Sequence, residues 1–136
     1  VVGGEGNGGV IFPELHYGRD ALVGIALFLS HLAQSGLKTS ELRKTYPNYS
    51  ISKNKIDLKP GTDINPLFEE MTRRYKHLPH STIDGLKIEF DDEWVHLRPS
   101  NTEPIIRVYA ESTTEDKAQA LASKIIDEIY SLTRNH

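Results

Sequence analysis

The sequence contains no cysteine. That excludes disulfides, a thiol nucleophile and thiolate metal centres, and it fits a cytoplasmic setting. Long apolar runs are missing as well. The most apolar stretch, ALVGIALFLSHLA at 21–33, falls short of the roughly 20 residues that span a bilayer and contains His31, so it predicts a buried helix and no membrane partner. There is no excess of positive charge: sixteen Lys and Arg against nineteen Asp and Glu leave a net charge of −3. This argues against a sequence-independent nucleic-acid binder, whose affinity comes from neutralising phosphates, so any anion site must be local. The six histidines lack zinc-ligand spacing, and the acidic run Asp91-Asp92-Glu93 reads as a solvated turn, so no metal is expected in this chain. A signal peptide and an initiator Met are also absent, and the opening VVGGEGNGG predicts an excised piece whose first strand is cut.

At 136 residues the chain can support one domain with a real core, burying roughly two-thirds of the surface its unfolded form exposes. Val1 and Val2 read as the end of a strand, followed at 3–9 by a loop with five glycines around Glu5 and Asn7. Such a loop lets backbone N–H groups and a carboxylate approach a ligand closely. Asp20 suits an N-cap, the apolar helix runs to about Ser35, and Gly36 stops it. Because that helix is apolar almost all round, it requires cover on more than one side, which leaves self-association open. Residues 1–36 are therefore expected to be the truncated remnant of an α/β domain, and 37–48, with a short helix ended by Pro47, a linker.

Residues 49–136 read as a separate α+β unit. A strand at 49–58 is followed by a helix capped by Asn65, with Pro66 at its first position and an apolar stripe of Leu67, Phe68, Met71, Tyr75 and Leu78. Three strands follow, in LKIEF, WVHLR and IIRVYAE. The last helix opens on the capping box Ser112-x-x-Glu115 and turns Ala118, Leu121, Ala122, Ile125, Ile129 and Leu132 inward. The expected order is β-α-β-β-β-α, with helices on one face of a mainly antiparallel sheet.

The segment RPSNTEP at 98–104 joins two of those strands. Its Pro, Ser, Asn and Thr are ordinary turn formers. A guanidinium, two hydroxyls, an amide and free backbone N–H groups converging there would also cradle a phosphate. Period-two alternation puts Val95 and Leu97 on one face and His96 and Arg98 on the other. In the next strand it puts Ile106, Val108 and Ala110 inward and Arg107 outward. If the strands pair, Arg98 and Arg107 point toward one loop mouth.

Together GGEGNGG at 3–9, HYGRDA at 16–21 and RPSNTEP at 98–104 resemble the α-D-phosphohexomutase family, which moves phosphate between the 1 and 6 positions of a hexose. The resemblance implies a C-terminal fragment, the end of domain 3 plus domain 4. It implies that Glu5 and Asn7 read sugar hydroxyls and that Arg98, Ser100, Asn101 and Thr102 hold the non-reacting phosphate. Arg107 is added from strand geometry alone. Gly9 departs from the histidine that ends the sugar loop in many members, so any contact made by that histidine is absent. The family's phosphoserine loop and its Mg2+ loop belong to the missing N-terminal domains of the same chain. The fragment is thus expected to bind a hexose phosphate without catalytic residues or cofactor of its own. The GEGNGG variant looks most like phosphoglucosamine mutases, with phosphomannomutases and phosphoglucomutases of the same family as alternatives. From the residues alone, a non-enzymatic interaction module stays open. The acidic balance and the lack of paired exposed aromatics on a strand face count against it.

Overall fold

The computed structural model describes residues 2–4, 8–59 and 61–133. They form two compact units, Val1–Pro47 and Asn48–His136.

In the first unit the stretch around the glycine loop is more regular than its composition suggests. Three short antiparallel strands, β1 (Gly3–Gly4), β2 (Val10–Phe12) and β3 (His16–Arg19), form a sheet in that order. Of the strand end expected at Val1 and Val2, Val1 lies outside the described residues and Val2 is not in a strand; β1 begins at Gly3, which pairs with Ile11. β3 leads directly into α1 (Ala21–Ser35). Asp20 caps it as expected, its Oδ1 accepting from the Val23 N–H at 3.0 Å. The His16 Nδ1 accepts the Gly18 N–H at 2.9 Å, so its Nε2 carries the proton and donates to Asp20 Oδ2 at 3.1 Å. These bonds, the backbone one first, hold the Asp20 carboxyl below the usual carboxylate range. Gly36 ends the helix in the left-handed region, at φ 66°. No residue of α1 is buried, and Leu22, Ile25 and Leu29 are more than half exposed. α2 (Thr39–Lys44) completes the unit and buries Leu42.

The second unit is an α+β fold. Its elements run β4 (Ser50–Asp57), α3 (Asn65–Arg74), β5 (His80–Ser81), β6 (Leu86–Glu89), β7 (Trp94–Pro99), β8 (Ile105–Ser112) and α4 (Glu115–Thr133). The sheet order is β4-β8-β7-β6-β5, every pair antiparallel. The two-residue β5, paired to β6, is an addition to the expected β-α-β-β-β-α. Ile56, Leu86, Ile88, Val95, Leu97, Ile106, Val108 and Ala110 line one sheet face. Met71 and Tyr75 of α3 and Leu121, Ala122, Ile125 and Ile129 of α4 cover it as one buried cluster. The helices are tied together by polar contacts at their rim. The Tyr75 hydroxyl donates to Glu128 at 2.8 Å and Arg74 lies 4.0 Å from the same carboxylate, while within α3 Glu70 takes Arg73 and Arg74 at 2.8 and 2.9 Å. The two guanidiniums hold the Glu70 carboxyl down at about 2, while burial and then the Glu128 bond push the Tyr75 hydroxyl upward.

Two expected caps are displaced. The Ile64 carbonyl already accepts the Phe68 N–H, which makes Asn65 the first helical residue; Asp63, two residues earlier, takes the Asn65 N–H on its side chain at 3.0 Å. Ser112 is buried as the last residue of β8, opposite Ser50, so α4 starts later. Thr114 does the capping, accepting the Lys117 N–H on its hydroxyl and the Ala118 N–H on its carbonyl.

Gly85, in the turn between β5 and β6, has φ 81°, and a Cβ there would lie 2.1 Å from the Leu97 carbonyl oxygen. Left-handed backbone costs a non-glycine residue about 1–2 kcal/mol, and the overlap with a core strand adds to that. Gly85→Ala should therefore lower the unfolding free energy by about 2 kcal/mol or more in urea titration. A change under about 0.5 kcal/mol would show that the turn is not seated against β7.

Candidate functional site

The site is built where β7 hands over to β8. Because Val95 and Leu97 must face the helices, His96 and Arg98 face away. Ile106, Val108 and Ala110 leave Arg107 and Tyr109 on that same outer face. The register sets Arg98 directly opposite Arg107. On the other side of β8, Lys55 of β4 pairs with Arg107, so Lys55, Arg107 and Arg98 form one transverse row of cations. Lys55 is compensated by Asp57 at 3.0 Å and Arg98 by Asp84 at 3.1 Å. Arg107 has no ion-pair partner among the described residues. Two like charges directly across a ladder repel, so the row favours an anion beside it.

The connection itself is fixed by backbone bonds at both ends. The Ser100 N–H donates to the Ile105 carbonyl at 3.0 Å, the Ile105 N–H to Glu103 at 2.8 Å, and the Leu58 N–H to Pro104 at 2.7 Å. That last bond ties the loop to the end of β4. Between these anchors the Ser100 hydroxyl accepts weakly from the Thr102 N–H and lies 3.4 Å from the Thr102 hydroxyl. The backbone N–H groups of Asn101 and Glu103 meet no acceptor among the described residues. Two free N–H groups on either side of Thr102, in a loop that also carries two hydroxyls and follows an arginine, can receive an anion.

Arg98, at the end of β7, is followed directly by the loop that carries Ser100, Asn101 and Thr102, and Arg107 lies opposite it on the neighbouring strand. Glu5 and Asn7 lie outside the described residues. Lys55 and Asp84 escaped the sequence reading. The alternation of β4 put Lys55 on an outer face, but which strand lay beside it required the topology. Among the described residues no group of three or more histidines and acids could hold a metal ion, and Asp91 to Glu93 form the turn whose Glu93 carbonyl takes the Phe90 N–H. No described helix is long and apolar enough to cross a membrane.

Comparison with known proteins decides the family. The model of the phosphoglucomutase/phosphomannomutase C-terminal domain matches residues 53–128, over half of the chain. The chain belongs to the phosphoglucomutase/phosphomannomutase family. The alpha/beta/alpha domain III model of that family matches residues 1–49. Similar curated proteins include a phosphoglucosamine/phosphogalactosamine mutase of Sulfurisphaera tokodaii, 37% identical over 92% of this chain. Others are a phosphoglucomutase/phosphomannomutase of Thermococcus kodakarensis, 40% identical over 94%, and a probable phosphoglucosamine mutase of Methanopyrus kandleri, 36% identical over 93%. The chain spans 28%, 29% and 28% of the lengths of these relatives, respectively. In fold it resembles the crystal structure of a phosphoglucomutase/phosphomannomutase family protein from Burkholderia thailandensis. That likeness has TM-score 0.67 at 24% identity over 98% of this chain and 28% of the other.

Because Arg107 is exposed, Ser100 only half-buried, and the core lies on the opposite face of the sheet, these side chains carry little of the fold. Ser100→Ala and Arg107→Ala should each shift the unfolding free energy by about 0.5 kcal/mol or less. A loss above about 1.5 kcal/mol for either in urea titration would assign that residue a structural role.

Proposed function

We propose that this chain is the substrate-holding portion of a longer phosphohexomutase. In this reading Arg98, Ser100, Asn101, Thr102 and Arg107 bind the phosphate that does not react, and Glu5 and Asn7 bind sugar hydroxyls. Residues 1–36 close the third domain, 37–48 link, and 49–136 form the phosphate-binding domain. The names of two relatives, phosphoglucosamine/phosphogalactosamine mutase and probable phosphoglucosamine mutase, favour an amino-sugar phosphate over other hexose phosphates. The observation that carries the reading is the row of cations set by strand register beside a loop with unbonded N–H groups.

The physical role is positioning. An intermediate that carries phosphate at both ends must reverse between two transfers, and a clamp indifferent to which phosphate it holds lets one reactive centre serve both. Binding energy at the remote phosphate is then used to orient the reacting one. A guanidinium supplies two parallel charge-assisted bonds, while backbone N–H groups and hydroxyls complete the shell. The phosphorylated serine that the family resemblance implies would lie in other parts of the longer protein, as would the Mg2+, for which the described residues here offer no fitting group of ligands. A cytoplasmic setting accords with the absence of cysteine.

In the longer protein, Arg98→Ala should lower kcat/KM by about ten- to a thousandfold, since each charge-assisted bond is worth about 1.5–3 kcal/mol. Arg98→Lys should recover only part, because the charge remains and the planar fork does not. A sharp fall in Tm with kcat/KM intact would make Arg98 structural and move the clamp elsewhere.

A further inference from the structure

We infer that Asp84 is a positioning residue for Arg98, holding the guanidinium over the mouth of the 98–104 loop before any anion arrives. The inference rests on the proposed phosphate role of Arg98 and adds the group that aims it.

Three contacts seat the turn between β5 and β6 on β7. The Asp84 carboxylate Oδ2 lies 3.1 Å from Arg98 Nε. The His96 Nε2 is hydrogen-bonded to the Asp84 carbonyl, which makes that nitrogen the protonated one. Gly85, with φ 81°, fits against the Leu97 carbonyl with no room for a side chain. His96, Leu97 and Arg98 are consecutive, so one strand end binds the turn at three successive positions. The carboxylate is therefore placed by the backbone on either side of it. Its own ion pair does not place it. An exposed surface pair between two free side chains would have no such anchor.

The geometry of the pair leaves Arg98 usable. The approach to Asp84 is through Nε, and neither terminal amino group of Arg98 has a hydrogen-bond partner among the described residues. A guanidinium fixed through its inner nitrogen keeps its outer edge for bidentate contact with a phosphate. Side chains of Arg98 and Asp84 are 53% and 61% exposed, so the pairing orients the group without burying it away from a ligand. Restricting a rotamer-rich side chain in advance removes an ordering cost from binding, at the expense of a carboxylate near the incoming anion. Repulsion from that carboxylate would act in the opposite direction, and the sign of the effect on affinity separates the two.

The test uses the 136-residue chain titrated with inorganic phosphate and followed by NMR, with Asp84→Ala and Asp84→Asn beside wild type. Asp84→Ala should raise the Kd by about three- to tenfold, and Asp84→Asn, which keeps an acceptor oxygen, should fall between. In phosphate-free buffer, relaxation of the Arg98 Nε–H vector should show greater mobility in Asp84→Ala than in wild type. Backbone shifts of the buried core strands, unchanged in both variants, establish that the fold is intact. Tighter or unaltered phosphate binding in Asp84→Ala overturns the inference, as does an Arg98 side chain equally mobile with and without the carboxylate. If wild type gives no phosphate response at residues 98–107, or Arg98→Ala binds as wild type does, the phosphate reading itself fails. The Arg98 mobility then decides the positioning claim on its own.

Discussion

The second unit depends on one constraint, the two-residue period of β8, an inner strand of its sheet. β8 pairs with β4 along its whole length on one side and with β7 on the other, and its Ile106, Val108 and Ala110 are fully buried beneath the helices. Once those three face inward, Arg107 and Tyr109 have no choice but the open face, and the register brings Arg98 and Lys55 alongside. A one-residue slip would bury Arg107 and expose the core positions together. The apolar core thus sets the electrostatics of the loop: burial on one face determines which charges meet on the other.

The loop shows how little side-chain machinery this requires. Its ends are held by backbone bonds from Ser100 to Ile105 and from Leu58 to Pro104, and neither depends on the hydroxyls or the guanidinium that face solvent. The loop is held by its backbone at both ends, which leaves its polar side chains and remaining N–H groups free for the proposed anion. It can present free N–H groups because the strands behind it supply the rigidity.

Much of this was legible from periodicity. The alternation in WVHLR and IIRVYAE assigned the faces correctly, the apolar stripes of both helices became core, and the glycine at 36 ended its helix. Local signals failed where tertiary pairing competed with them. Ser112 has the sequence of a helix cap but is claimed by the ladder with Ser50, and Asn65 is overtaken by a turn that begins at Ile64. Asp84 could not be found from spacing, since its partner Arg98 is fourteen positions away by residue number and meets it only because Gly85 adopts a positive φ against β7. Lys55 joins Arg107 across the pairing of the first and last strands of the unit, which no local pattern encodes. The sugar-loop residues Glu5 and Asn7 lie outside the described residues, so their reading rests on the motif alone.

The central claim is that strand alternation converts an exposed turn into an anion site whose backbone takes part. The amide protons of Asn101 and Glu103 report this most directly, because they have no acceptor within the described structure. On addition of inorganic phosphate to the chain, both should move downfield along a saturable curve that shares one Kd with the Arg98 side chain. Shifts that are linear in phosphate and spread over the exposed lysines, with Asn101 and Glu103 unmoved, would contradict the account.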